Sequence, residues 1–235
     1  MPSDDLKRIC AKEALKYIEN NTIIGLGGGR TIAYLIEYLS EKVKDGFNIK
    51  IVTPSTKTKL LCIKSDLEVL HTSSVSEVSV AFDGCDQVDE KLNALKSGGG
   101  IHTKEKLIAS MAKEYILLVD ETKLVKLLDF KYPVVLEILE DALSYVESMV
   151  RNLGGNPVAR TSSRKDGFVI SDNGNLLIDV KFNTVRDCYE LESSLRNIPG
   201  VISTSLFNNI VTKVLVTSEN GIRVIKKYHN WGTVK

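Results

Sequence analysis

The chain has 235 residues, 43% of them hydrophobic, and 31 basic side chains balance 30 acidic ones to leave a formal charge of +1. That length supports one or two domains around a large core, and the neutral balance excludes general attraction to nucleic acid or an anionic membrane. No apolar run approaches the roughly 18 residues of a membrane span, and the polar, amphipathic start is unlike a secretory signal.

Leu6, Cys10, Ala14, Tyr17 and Ile18 recur at helical spacing, and Asn20-Asn21 closes that segment. Residues 22–26 follow as a short buried strand that runs into Gly27-Gly28-Gly29. A helix is predicted from about Thr31, with Ile32, Leu35, Ile36, Leu39 and Val43 on one face. Residues 49–52 read as a strand, and the helix after it carries Leu60, Leu61 and Ile63. Residues 78–82, β-branched and aromatic, form a strand that stops at Asp83-Gly84. Thr103 is the expected N-cap of a helix reaching about Glu114, which puts Glu105 in its first turn. A strand over 115–119 completes an alternation that predicts a Rossmann-like, mostly parallel sheet with helices on both faces.

After Asp129 the texture changes. Residues 134–139 read as a strand and 141–153 as a helix that ends at Gly154-Gly155. Strands follow at 158–161, 168–170 and 176–182, the last two joined by the turn Asp172-Asn-Gly174. A helix over 190–197 is closed by Pro199-Gly200, and 201–207 is one more strand. This order matches an α+β ferredoxin-like unit. Residues 213–217 and 222–225 form a hairpin able to rejoin the first sheet. The expected division is therefore an α/β catalytic domain, 1–129 with 208–235, interrupted by an inserted domain, 130–207. The tail from Tyr228 reads as a docking or frayed end.

The densest chemistry lies between residues 83 and 105: Asp83, Asp86, Lys96, the run Gly98-Gly99-Gly100, and Glu105. Carboxylates just beyond the carboxyl end of a strand stand where α/β folds bind ligands. Asp-Gly alone is also ordinary turn chemistry, and an acid in a first helical turn also complements the dipole. Together with one lysine and exposed backbone amides, the group suits proton transfer on a polar, anionic substrate. The loop Gly25-Leu-Gly27-Gly28-Gly29-Arg30-Thr31 sits between strand and helix, where backbone amides attract phosphate. Its spacing is not that of a dinucleotide fingerprint, the acidic ribose partner is missing, and no Walker lysine follows. The alternative for this loop is a tight turn with close helix packing.

Cys10, Cys62, Cys85 and Cys188 are scattered, and His71, His102 and His229 share no ligand spacing. Neither a disulfide framework nor a metal site is expected, and a reducing cytoplasm is the expected compartment.

At these residues the sequence resembles type A ribose-5-phosphate isomerases. The family's G-x-G-T-G-S-T is similar to residues 25–31, its D-G-A-D-E to 83–87, and its K-G-G-G-A with R-E-K to 96–100 and 104–106. Val119-Asp-Glu-Thr-Lys123, Ser171-Asp-Asn-Gly-Asn175, Ile198-Pro-Gly-Val201 and Leu206-Phe207 extend the resemblance over about residues 6–227. The departures are Gly28 for threonine, Arg30 for serine, Cys85 for alanine, Gln87 for glutamate and Ser97 for glycine. The resemblance implies interconversion of D-ribose 5-phosphate and D-ribulose 5-phosphate in the non-oxidative pentose phosphate pathway. It also implies no cofactor or metal, and a homodimer or homotetramer. Carried over, Glu105 moves the proton, Lys96 stabilises negative charge, and Asp83 and Asp86 bind hydroxyls and assist ring opening. Gly28, Gly29, Thr31, Gly84, Cys85, Ser97, Gly98, Gly99 and Lys123 are the substrate contacts it implies. Arg30 departs from the family: a guanidinium at a helix N-terminus is disfavoured by the dipole, so substrate phosphate is its expected partner, and a solvent-facing side chain or a carboxylate at a subunit contact is the alternative. A sugar-phosphate-binding regulator of related fold is the alternative from another class, and a nucleotide-dependent enzyme the third.

Overall fold

The computed structural model describes residues 3–163 and 165–227. The tail from Tyr228, with His229, lies outside the described residues. Helix α1 (Ser3–Ala14) opens the fold with Asp4 and Asp5 in its first turn, where they complement the helix dipole. It buries Cys10, Ala11 and Ala14, and a 3-10 turn over Leu15–Tyr17 replaces the last predicted helical turn. Strand β1 (Thr22–Leu26) leads through the glycines into α2 (Arg30–Lys44), which buries Ile32, Leu35, Ile36 and Leu39 as the spacing predicts. Strand β2 (Ile49–Val52) is followed by α3 (Thr56–Lys64), capped by Ser55, whose hydroxyl accepts the Thr58 amide at 3.1 Å. Of Leu60, Leu61 and Ile63, only Leu61 packs against the main core. Thr58 and Cys62 are buried, whereas Leu60 and Ile63 are more than half exposed.

Strand β3 (Val78–Asp83) precedes two short strands, β4 (Gln87–Asp89) and β5 (Ala94–Leu95). Helix α4 (His102–Met111) is shorter than expected, because β6 (Ala112–Asp120) begins where the helix stops. Ile101, not Thr103, stands at its N-cap and makes no side-chain cap bond; the Thr103 hydroxyl donates to Glu137 instead. Strand β7 (Leu124–Val125) follows.

The chain then enters a second layer: β8 (Val134–Ile138), α5 (Leu143–Asn152), β9 (Gly155–Ala159), β10 (Thr161–Ser162) with β11 (Lys165–Phe168), β12 (Leu176–Phe182), α6 (Cys188–Arg196) and β13 (Val201–Thr204). The strand predicted over 168–170 is replaced by the β10–β11 hairpin and a single bridge from Ile170 to Leu176. The strand predicted over 201–207 breaks at the buried Ser205: β13 stays in this layer, and β14 (Leu206–Phe207) pairs with β5. Strands β15 (Lys213–Ser218) and β16 (Gly221–Lys226) close the chain.

The main sheet has the order β16-β15-β6-β3-β1-β2, parallel except for β16. The second layer is an antiparallel sheet ordered β13-β8-β12-β9, the ferredoxin-like arrangement, over its own core of Leu136, Ile138, Val146, Val150, Ile178 and Leu195. A small third sheet, β14-β5-β4-β7, lies outside both. In the main sheet, β2 lies on one side of β1 and β3 on the other, so the chain reverses direction across the β1–β3 pair. Ligands in open α/β sheets bind beyond the strand ends at such a point.

Candidate active site

The carboxyl ends of β1 and β3 lie side by side. The Gly27 amide donates to the Phe82 carbonyl at 2.8 Å, and the Thr58 hydroxyl reaches across from α3 to the Gly27 carbonyl at 2.8 Å. A Cβ on Gly27 would sit 2.1 Å from the Asp83 carboxyl, so the approach of the loop to β3 requires glycine. Gly29, at φ +102°, makes the turn into α2.

Asp83, the last residue of β3, is almost fully buried. Its Oδ1 accepts the amides of Gly84 at 2.8 Å and Gly28 at 3.4 Å, and its Oδ2 accepts the Tyr115 hydroxyl at 3.2 Å. The Lys96 ammonium sits 2.9 Å from the same Oδ2 and 3.4 Å from Glu105 Oε1, and also donates to the Gly84 carbonyl. Lys96 leaves β5 with its amide bonded to the Ser205 carbonyl at 3.0 Å. Asp86 accepts the amides of Ser97 (2.6 Å) and Gly98 (3.0 Å) on Oδ2. Glu105 rises from the first turn of α4. These four residues border a cleft of about 530 Å³, with Gly28, Gly29, Gly84, Cys85, Gly98 and Gly99 on its walls.

Two carboxylates share one buried cation. Burial, and then the charge of Asp83, push Glu105 up to about 8, against the pull of Lys96. Burial alone would lower the affinity of Lys96 for its proton, but Asp83 and Glu105 outweigh it, and the ammonium titrates above its ordinary range. Burial pushes the Cys85 thiol up to about 12, so it stays protonated and is no nucleophile.

Not every expected contact faces this cleft. Arg30 does not line it; its Nη1 lies 3.0 Å from both carboxylate oxygens of Asp4 on α1. The anionic partner that a cation at a helix N-terminus calls for is therefore supplied by the chain itself. Arg30, Thr31 and Lys123 line a neighbouring cleft of about 140 Å³, which shares Gly28, Gly29, Gly84 and Cys85 with the larger one. Ser97 is buried, and its hydroxyl donates to the Pro133 carbonyl at 2.5 Å instead of facing the cleft. Gln87 is also buried; its amide donates to Asp129 at 2.7 Å, where a glutamate would oppose like charge. Arg30→Ser is expected to leave kcat unchanged and to alter KM by less than about fivefold, the range of an exposed ion pair. A large rise in KM would place the guanidinium on the substrate.

Sequence reasoning missed several lining residues. Ser55, Thr56 and Lys57 form one lip, and Asp172 reaches the cleft from the second layer. Lys7 joins the smaller cleft from α1. The N-cap signature of Ser55 was legible in the sequence; the reach of Lys7 and Asp172 depends on tertiary packing that no local pattern records. Among the described residues, no group of three or more His, Cys, Asp or Glu is placed to hold a metal ion, and no helix is long and apolar enough to cross a membrane.

Fold and site together define an α/β enzyme with a buried lysine–carboxylate centre at the switch point of its sheet, beside an opening with cationic walls. The family model of ribose 5-phosphate isomerase A (phosphoriboisomerase A) matches residues 50–221. Ribose-5-phosphate isomerase A of Pyrococcus horikoshii is 40% identical over 229 residues, 97% of this chain and 100% of that protein. The solved structure of ribose 5-phosphate isomerase A from Methanocaldococcus jannaschii is 39% identical and superposes with a TM-score of 0.90, covering 95% of this chain and 99% of that one. A D-ribose-5-phosphate isomerase solved in complex with phospho-erythronic acid is 39% identical, with a TM-score of 0.91 over 96% of this chain and 100% of that one. The chain belongs to the ribose 5-phosphate isomerase A family and is an isomerase of ribose 5-phosphate.

Proposed function

We propose that this chain interconverts the aldose and the ketose through an enediolate, with Glu105 carrying the proton between C2 and C1 as base and then as acid. The observation that carries this reading is the buried Glu105 carboxylate 3.4 Å from the Lys96 ammonium at the edge of the cleft. Lys96 stabilises the negative charge that develops on the substrate oxygens. The two aspartates divide their work. Each oxygen of Asp83 already has two partners, so Asp83 holds Lys96 in place. Asp86 spends Oδ2 on backbone amides and keeps Oδ1 for the substrate hydroxyls during ring opening and O1–O2 exchange. The relative's complex with phospho-erythronic acid supports this reading, because that ligand pairs a planar carboxylate with a phosphate, much as an enediolate phosphate does.

The phosphate belongs in the smaller cleft, between the α2 N-terminus and the cations Lys7 and Lys123. Lys123→Ala should raise KM and leave kcat largely intact. Activity should survive EDTA; loss on chelation and rescue by a divalent ion would sink the metal-free reaction. Conversion of ribose 5-phosphate to ribulose 5-phosphate by the purified chain tests the whole reading, and a chain that binds the sugar without turnover would be a regulator instead.

The raised Glu105 titration predicts a pH profile. The base works ionised, so kcat/KM should rise with pH along a limb displaced from the carboxylate range toward 8. Asp83→Asn removes a negative neighbour and should move the limb down. An unmoved limb would assign the titration to another group. Because the fold favours protonated Glu105, the stability it contributes is present below the ordinary carboxylate range and lost as pH rises through about 8.

The same reading assigns residues 1–129 with 208–235 to a catalytic domain and 130–207 to an inserted one, supported by the separate core of the second layer. Four free cysteines fit a reducing cytoplasm. The exposed apolar side chains Leu60, Ile63, Leu107 and Leu127 fit a homodimer or homotetramer, which light scattering would test.

A further inference from the structure

The sheet of the second layer turns an apolar face to its own core and a mixed, partly polar face to the main domain. On β12, Ile178 and Val180 belong to that core, so Asp179 between them projects to the opposite side. There it meets Arg160, which follows β9. Arg160 Nε lies 3.0 and 3.2 Å from the two Asp179 oxygens, and Nη2 lies 2.5 Å from Oδ1. The remaining reach of the guanidinium crosses to the catalytic glycine loop. Nη2 donates to the Ser97 carbonyl at 2.8 Å and Nη1 approaches the Gly98 carbonyl at 3.5 Å. The peptide between Ser97 and Gly98 is thus held at both ends: Arg160 takes its oxygen, and its N–H donates to Asp86 Oδ2 at 3.0 Å. Gly100 completes the fit, since a Cβ there would lie 3.2 Å from Nη1.

A guanidinium on a carbonyl oxygen makes a charge-assisted bond, and it draws density from the peptide so that the N–H on its other side becomes a stronger donor. The planar fork also fixes direction, which an ammonium does not. We propose that Arg160, braced by Asp179, is a positioning residue for the isomerisation: through the Ser97–Gly98 peptide it sets the Asp86 carboxylate and the glycine loop at the cleft. The 130–207 segment thereby takes part in the reaction without touching the substrate through this residue. The proposal rests on the reading of the cleft as the isomerase site.

The test uses the purified full chain and the ribose 5-phosphate assay, with wild type measured alongside. An inactive wild type defeats the reading of the site; an active wild type leaves the Arg160 proposal to be judged by the variants. Arg160→Lys keeps the charge for Asp179 but cannot also clamp the loop, and Arg160→Met with Asp179→Leu removes both charges and leaves neither orphaned. Both should unfold near the wild-type temperature while kcat falls about 10–100-fold, the loss of a charged hydrogen bond. KM should stay within about threefold, because the phosphate contacts are untouched. In an Asp86→Asn background, Arg160→Lys should cost less than about threefold, because the two residues act as one unit. Wild-type kcat in both Arg160 variants would overturn the proposal. Equal losses with and without Asp86 would overturn the route through it.

Discussion

Glu105→Gln is expected to fold, to bind the sugar phosphate, and to lose about 10²–10⁴-fold in kcat, the usual range for removing a general base. The amide keeps the shape of the side chain and its place in the first turn of α4, so the cleft is preserved. It also removes one of the two carboxylates that share Lys96, which lightens the electrostatic load on the centre. Stability should therefore hold or rise as turnover collapses. Exchange of the C2 proton with solvent gives a second reading of the same step and should fall in parallel. Near-normal turnover in the purified variant would remove Glu105 from the proton path.

Lys96→Ala should damage both chemistry and fold. Charge on the enediolate oxygen exists mainly in the transition state, so kcat should fall about 10²–10³-fold, well beyond any rise in KM. The variant also leaves Asp83 and Glu105 facing each other without a cation in a buried site, where breaking an ion pair costs about 3–5 kcal/mol. Part of that loss should be recovered at acid pH, where one carboxylate takes up a proton. Urea titrations at two pH values measure it. If KM alone rises, Lys96 anchors the ground state and the charge on the enediolate is met elsewhere.

Much of this centre was legible because its four residues fall within one short stretch of chain, at the end of a strand whose composition announces it. The parallel sheet was legible for the same reason: each strand–helix unit carries its own periodicity. What escaped was short or distant. Strands β4, β5, β7 and β14 run for two or three residues, too few to show alternation. Thr103 has the chemistry of a cap, but the buried Glu137 carboxylate offered its hydroxyl a better acceptor. Leu60 and Ile63 carry an apolar signal that the fold leaves exposed, and the face buried instead includes a threonine. The carboxylate that pairs with Arg30 could not be named from the sequence, because Asp4 is 26 residues away and invisible to a local pattern.

The passage of the backbone through β15 bears on the order of assembly. That strand lies between β6 and β16, pairing Leu215 with Leu118 and Val216 with Val119, so the main sheet is complete only when the C-terminal hairpin returns to its edge. The catalytic loop waits as well: the Lys96 amide needs the Ser205 carbonyl, and the Ser97 hydroxyl needs that of Pro133. Residues 22–120 can condense early through neighbouring crossovers, but their long-range closure is the slow class of event. In refolding from denaturant, helical signal should therefore return before turnover, and enzyme activity should report the last kinetic phase.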